Sequence, residues 1–302
     1  MSRPPSLALP ACARAHRLRT SRGDFAVHEA VPPAGTPPRG QVLLVPGFTG
    51  SKEDFIALLE PLAQRGFRVL AVDGRGQNES AGPGDESAYA QEELAQDVLA
   101  QTAAAFGDGE PVHLLGHSLG GLITRAALIK DPSPFASFTI MSSGPGAIAQ
   151  EQQHRTKMLI TALADPKFDM EWIWRAMRAL DPPEAPEAST PREIAEFLHR
   201  RWLNTVPEQL VATGRQLIAE PDRVAELAAL PLPKHVLSGA VDYAWPVALM
   251  DDMAVRLGAR RTVIEGAEHS PAAERPAPTA RALADFWEEA GRDEAPEGSA
   301  SR

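Results

Sequence analysis

Gly116-His117-Ser118-Leu119-Gly120 puts a hydroxyl between two glycines, between the extended apolar run Val112–Leu115 and the helix-like run Leu122–Ile129. A turn this sharp leaves no room for side chains at Gly116 and Gly120, and it points the serine hydroxyl outward. A hydroxyl is a weak nucleophile until a base removes its proton, so the chemistry needs that base and a group to orient it elsewhere in the sequence. His269, in the loop Glu265-Gly266-Ala267-Glu268-His269-Ser270-Pro271, is the candidate base, and Asp242, in Ser238-Gly239-Ala240-Val241-Asp242-Tyr243-Ala244-Trp245-Pro246, is the candidate orienting acid. Attack on an acyl carbon also creates an oxyanion that needs donors. The backbone N–H groups of Leu119, at the start of a helix, and of Phe48, in the glycine turn Pro46-Gly47-Phe48-Thr49-Gly50, are placed to supply them.

These residues need a rigid frame. Strand-like runs at Val42–Val45, Phe67–Val72, Val112–Leu115, Phe138–Met141, His235–Ser238 and Thr262–Ile264 alternate with amphipathic runs at Phe55–Gln64, Ala88–Phe106, Leu119–Lys130 and Pro246–Leu257. That rhythm predicts an α/β fold with a mostly parallel central sheet and helices on both faces, and every candidate residue falls just beyond a strand. Leu18–Thr20 and Phe25–Ala30, around the turn Arg22-Gly23-Asp24, predict an antiparallel hairpin. Ser51-Lys52-Glu53-Asp54 resembles a capping box, with Asp54 in place of the usual Glu or Gln.

Four motifs in order make the chain similar to the α/β-hydrolase fold superfamily, in its lid-bearing serine esterase, lipase and haloperoxidase-like branch. They are the Gly47 turn, the loop Asp73-Gly74-Arg75-Gly76-Gln77-Asn78-Glu79-Ser80, the Ser118 elbow, and the Asp242 and His269 loops in the chain order serine, acid, histidine. The resemblance implies a Ser118–His269–Asp242 triad, no cofactor, and a helical lid inserted in the core. Pro46 stands where a histidine usually precedes the oxyanion-loop glycine, and Asn78 replaces a glycine. Asparagine tolerates left-handed backbone angles, so the loop after Asp73 is expected to keep its shape. Ser118 excludes the carboxylate-nucleophile branches.

The domain reading follows: a disordered leader over 1–16, a core over 17–144 and 231–290, a helical lid over 145–230, and a disordered tail over 291–302. The lid concentrates Met158, Phe168, Met170, Trp172, Trp174, Met177, Phe197 and Trp202 in a chain poor in aromatics. Trp172 and Trp174 cannot share a helix face. From this set Trp172, Trp174, Met177 and Trp202, with His117 and Trp245, are expected to line a largely apolar acyl or aryl pocket. Lid charges such as Arg155, Lys157, Arg175, Arg178, Arg200 and Arg201, interspersed with acids, read mainly as solvated surface.

A net charge of −10, without a basic tract, argues against a nucleic-acid partner. The single cysteine, Cys12, supports no disulfide framework, no stretch is long enough to span a bilayer, and a reducing cytoplasm is compatible. His113 and His117, four residues apart on a strand, lie about 13 Å from each other, too far to share a metal. Gly144-Pro145-Gly146-Ala147-Ile148-Ala149 fits a dinucleotide fingerprint only superficially and reads better as the hinge into the lid. The reading is therefore a serine hydrolase acting on a small acyl substrate through an acyl-enzyme, with no motif fixing its oligomeric state. Acyl transfer or thioester cleavage in a biosynthetic pathway is the alternative within the same chemistry. A ligand-binding or receptor-like protein with a retained, slow triad is the alternative of another class.

Overall fold

The computed structural model describes residues 1–107, 109–179 and 190–293. Its centre is an eight-stranded sheet in the order β1-β2-β4-β3-β5-β6-β7-β8. The strands are β1 (Ala13–Thr20), β2 (Gly23–Ala30), β3 (Gly40–Val45), β4 (Phe67–Val72), β5 (Val112–His117), β6 (Phe135–Met141), β7 (Lys234–Gly239) and β8 (Arg260–Ile264). The β1–β2 hairpin runs antiparallel and joins β4 antiparallel, whereas every pairing from β4 through β3 to β8 is parallel.

The continuous apolar strands are explained by two-sided burial. Leu43, Val45, Leu70, Val72 and Leu114 enter one core cluster, with residues of the helices α2 (Gln91–Phe106), α3 (Leu119–Lys130) and α9 (Val247–Leu257). Their alternates Val42, Leu44, Val69, Ala71 and Leu115 enter the other, under α1 (Ile56–Gln64) and α11 (Pro276–Asp293). Successive side chains point to opposite faces, so such a strand needs a helical layer on each side. Each fully buried Leu or Val contributes about 1.5–3 kcal/mol relative to exposure, which holds the strand ends in fixed register.

Between β6 and β7 the chain forms α4 (Gln150–Ala164), α5 (Met170–Ala179), α6 (Arg192–Asn204), α7 (Pro207–Ala219) and α8 (Val224–Ala228), a helical insertion. It has its own small core of Ile173, Trp174, Ile194, Phe197, Leu198, Trp202 and Leu210. A buried ion pair fixes one end of it: Arg125 on α3 meets Glu220 at 2.7 Å and donates to the Pro145 carbonyl at 2.7 Å.

The disordered leader expected over 1–16 is corrected. β1 begins at Ala13, paired with Ala30, and Leu7, Leu9 and Cys12 pack against the insertion and the sheet. Alternation in so short an apolar segment is too weak to reveal a strand whose partner supplies most of the burial. Of the expected tail, Gly291–Asp293 continues α11, and 294–302 lies outside the described residues.

Candidate active site

Ser118 sits between the end of β5 and the start of α3 with φ 54° and ψ −120°. That conformation costs a non-glycine residue on the order of 1–3 kcal/mol, and its surroundings enforce it. The Ser118 N–H donates to the Met141 carbonyl at 2.9 Å, and its carbonyl accepts from Gly121 at 2.8 Å. Gly120 is required because a Cβ there would run into the Val45 and Pro46 carbonyls, and a Cβ at Gly47 would stand 2.9 Å from the Ser118 Cβ. The elbow and the Gly47 loop are thus packed backbone to backbone.

His269, beyond β8, and Asp242, beyond β7, converge on Ser118. The Asp242 side chain is wholly buried, and its Oδ2 accepts from His269 Nδ1 at 2.9 Å, while its Oδ1 accepts from the Ala244 and Trp245 amides at 2.8 and 3.1 Å. With Nδ1 protonated toward the acid, Nε2 is left as the acceptor facing Ser118 Oγ at 3.0 Å. A base of this kind can accept the serine proton while the carboxylate stabilises the resulting imidazolium.

His117 is the one expected pocket residue that lines the site. Its Nε2–H donates to the His269 carbonyl at 2.8 Å, and its ring centroid lies 5.2 Å from that of His269. Burial, with the nearby His269 next, pushes the His117 imidazole down to about 3, so it stays neutral beside the base. Leu119 opens α3, where first-turn N–H groups lack helical partners. Phe48 lies in a loop tightened by Gly50 N–H on the Gly47 carbonyl at 3.0 Å and by Gln77 Nε2 on the same oxygen at 2.9 Å. Gln77 thus braces a loop in which Pro46 offers no side-chain hydrogen bond. Asn78 adopts φ 42°, the left-handed backbone expected of it.

The remaining expected pocket residues are corrected. Trp172 is 49% exposed and stacks on Phe168 at 4.0 Å. Trp174 and Met177 pack in the insertion's own core, as does Trp202, whose indole N–H donates to the Met170 carbonyl at 2.7 Å. Trp245 is fully buried, with its N–H on the Gly146 carbonyl at 2.8 Å. The cavity beside Ser118, about 160 Å³, is lined instead by Phe48, Thr49, Ile148, Gln152, Leu217 and Tyr243, among others. Thr156 joins them one turn after Gln152 on α4, which buries none of its residues and turns a polar face to the cavity. The polar face lines the cavity because the large apolar side chains pack against one another inside the insertion.

Arg201 is likewise corrected from surface charge to buried clamp. It is 1% exposed and donates to Asp54 Oδ1 at 2.6 Å, to Ser51 Oγ at 3.2 Å and to the Ser2 carbonyl at 2.9 Å. Ser51 and Asp54 form the expected capping box, so the clamp joins α6 to the turn that follows the Phe48 loop. No local sequence signal marks the pair, because the Asp54 carboxyl needs a cation only once docking of α6 removes it from water.

A family model described as the alpha/beta hydrolase fold matches residues 40–269. The chain belongs to the α/β hydrolase fold family. It is similar to the pimeloyl-[acyl-carrier protein] methyl ester esterase of Aeromonas hydrophila, 29% identical over 226 residues that cover 71% of this chain and 82% of that one. The enzyme of that name from Aliivibrio fischeri is 26% identical over 219 residues, 70% of this chain and 79% of the other. Among solved structures, a thermophilic esterase from Thermogutta terrifontis superposes with a TM-score of 0.72 at 23% identity, covering 92% of this α/β hydrolase and 99% of that chain. No helix among the described residues is long and apolar enough to cross a membrane.

Proposed function

We propose that this α/β hydrolase cleaves a carboxylic ester of a small substrate through an acyl-enzyme on Ser118. The observation that carries the proposal is the continuous relay from Asp242 Oδ2 through the His269 ring to Ser118 Oγ, at 2.9 and 3.0 Å. Ser118 Oγ attacks the ester carbon as its proton passes to His269 Nε2. The Phe48 and Leu119 amides hold the carbonyl oxygen as it becomes an oxyanion. Collapse of the intermediate expels the alcohol, which takes the proton from His269. Water, deprotonated by the same nitrogen, then releases the acid and restores Ser118.

The names of the esterase relatives support ester cleavage over the other acyl chemistries of this fold. The mixed lining of the cavity, with Thr49, Gln152 and Thr156 beside Ile148 and Leu217, supports a substrate that carries a polar group as well as an apolar one. The setting we propose is cytoplasmic.

The test is a panel of activated esters and acyl thioesters assayed with the parent protein, Ser118→Ala and His269→Ala. Each substitution is expected to reduce ester turnover by roughly 10⁶-fold with an unchanged thermal melt. Ester turnover by Ser118→Ala at the parent rate would reject the mechanism. Thioesters turned over faster than esters would favour the thioesterase reading, and covalent labelling by a phosphonate without turnover would favour the binding-protein reading.

A further inference from the structure

Residues 1–12 run from the start of β1 to the active site, and the cavity beside Ser118 and His269 is walled on one side by Met1 and Ser2. Three kinds of contact hold that segment. Leu9 and Cys12 pack on the cluster beneath α1 and α11, and Leu7 packs on the insertion's core. Pro4 is buried and Pro5 follows it, and two consecutive prolines restrict the backbone at the turn toward the site. At the far end, the Ser2 carbonyl accepts from the buried Arg201 guanidinium at 2.9 Å, and Ser2 Oγ lies 2.8 Å from the Oγ of Ser270, the residue after His269.

The size of the cavity gives this wall a consequence. About 160 Å³ is close to the ~150 Å³ cavity that accommodates one benzene molecule, so the space beside Ser118 holds about six non-hydrogen atoms. Helix α4 and the Phe48 loop bound it through elements integral to the fold. Met1 and Ser2 bound it through a segment that belongs to no helix or strand, so an acyl chain extending from Ser118 toward that wall would meet them.

We propose that residues 1–5 are a specificity-determining strap, clamped by Arg201 and Ser270, that limits the acyl group to about six non-hydrogen atoms. The proposal rests on the esterase reading of Ser118. Longer acyl chains are excluded because their terminal methylenes would meet Met1 and Ser2, and each methylene without a place in a pocket costs about tenfold or more in kcat/KM.

The experiment is a p-nitrophenyl ester series from acetyl to dodecanoyl, with four proteins: the parent, a variant lacking residues 2–5, Ser2→Phe and Ser118→Ala. The parent is expected to prefer butanoyl to hexanoyl esters. Removal of residues 2–5 is expected to raise the decanoyl-to-butanoyl ratio of kcat/KM by about tenfold or more. Ser2→Phe, which keeps the carbonyl that Arg201 holds but gives up the hydroxyl contact with Ser270, adds bulk at the wall and is expected to move the preference toward acetyl. Should the shortened protein fail to give a cooperative melt, the Ser2→Phe series alone decides. An unchanged chain-length profile in the folded variants overturns the strap, while a Ser118→Ala protein as active as the parent overturns the esterase reading itself.

Discussion

Arg201→Met is the substitution whose effect can be worked furthest from the structure. Arg201 and Asp54 are a buried pair, with side chains 1% and 3% exposed and 2.6 Å between Nη1 and Oδ1. Methionine preserves much of the volume but leaves the Asp54 carboxyl buried without a cation. Breaking such a pair from one side costs about 3–5 kcal/mol, and in a chain of this size that lowers Tm by about 5–8 °C. The pH dependence follows from Asp54. Burial raises its carboxyl above the usual range, and Arg201 is the leading influence holding it down. Without Arg201 the folded-state value rises further above the unfolded one. The variant's deficit is then small at acid pH, where the carboxyl is protonated in the folded parent and the folded variant alike, and grows as pH rises from the parent's folded-state value to the variant's. Urea denaturation of the parent and variant at pH 5 and pH 8 is the assay, and the larger loss is expected at pH 8. Arg201→Met/Asp54→Asn is expected to recover part of the loss, because the orphaned charge is gone. A deficit below about 1 kcal/mol that does not change with pH would refute the reasoning, since that is how a solvent-screened pair behaves.

Other outcomes are equally specific. Asp242→Asn keeps the shape of the relay but removes the carboxylate that fixes the His269 tautomer, so kcat is expected to drop by about 10⁴-fold, with KM and the melt little changed. A fall of less than tenfold in steady-state assays would count against that role. Gly47→Ala places a Cβ 2.9 Å from the Ser118 Cβ. It is expected to cost about 1–3 kcal/mol of stability and to lower kcat further by displacing the Phe48 amide, a combination that denaturation and kinetics read separately.

The strand ends, and the side chains gathered beyond them, were legible in the sequence because periodicity and glycine spacing are local. The run Phe67–Val72 is β4 to the residue, and Ser118, Asp242 and His269 meet through 2.9 and 3.0 Å hydrogen bonds although 151 residues separate the first from the last. The pocket was not legible, for a physical reason. Trp174 and Trp202 are large and apolar, and they bury themselves against each other with ring centroids 6.4 Å apart instead of waiting for a ligand. The cavity falls to the residues left over, such as Gln152 and Thr156, which look like any polar helix face until the sheet is placed beneath them. Arg201 was misread for the converse reason. Its partner Asp54 lies 147 positions away, and only the docking of α6 on the Phe48 loop takes both out of water.

The central claim is that Ser118 forms an ester with the substrate's acyl group during turnover. Intact-protein mass spectrometry of acid-quenched, steady-state reactions of the parent protein with a p-nitrophenyl ester is the decisive measurement. A mass increase equal to one acyl group is expected, mapped by peptide fragmentation to Ser118 and missing from Ser118→Ala. Sustained ester turnover with no adduct, or an adduct mapped to another residue, would contradict it.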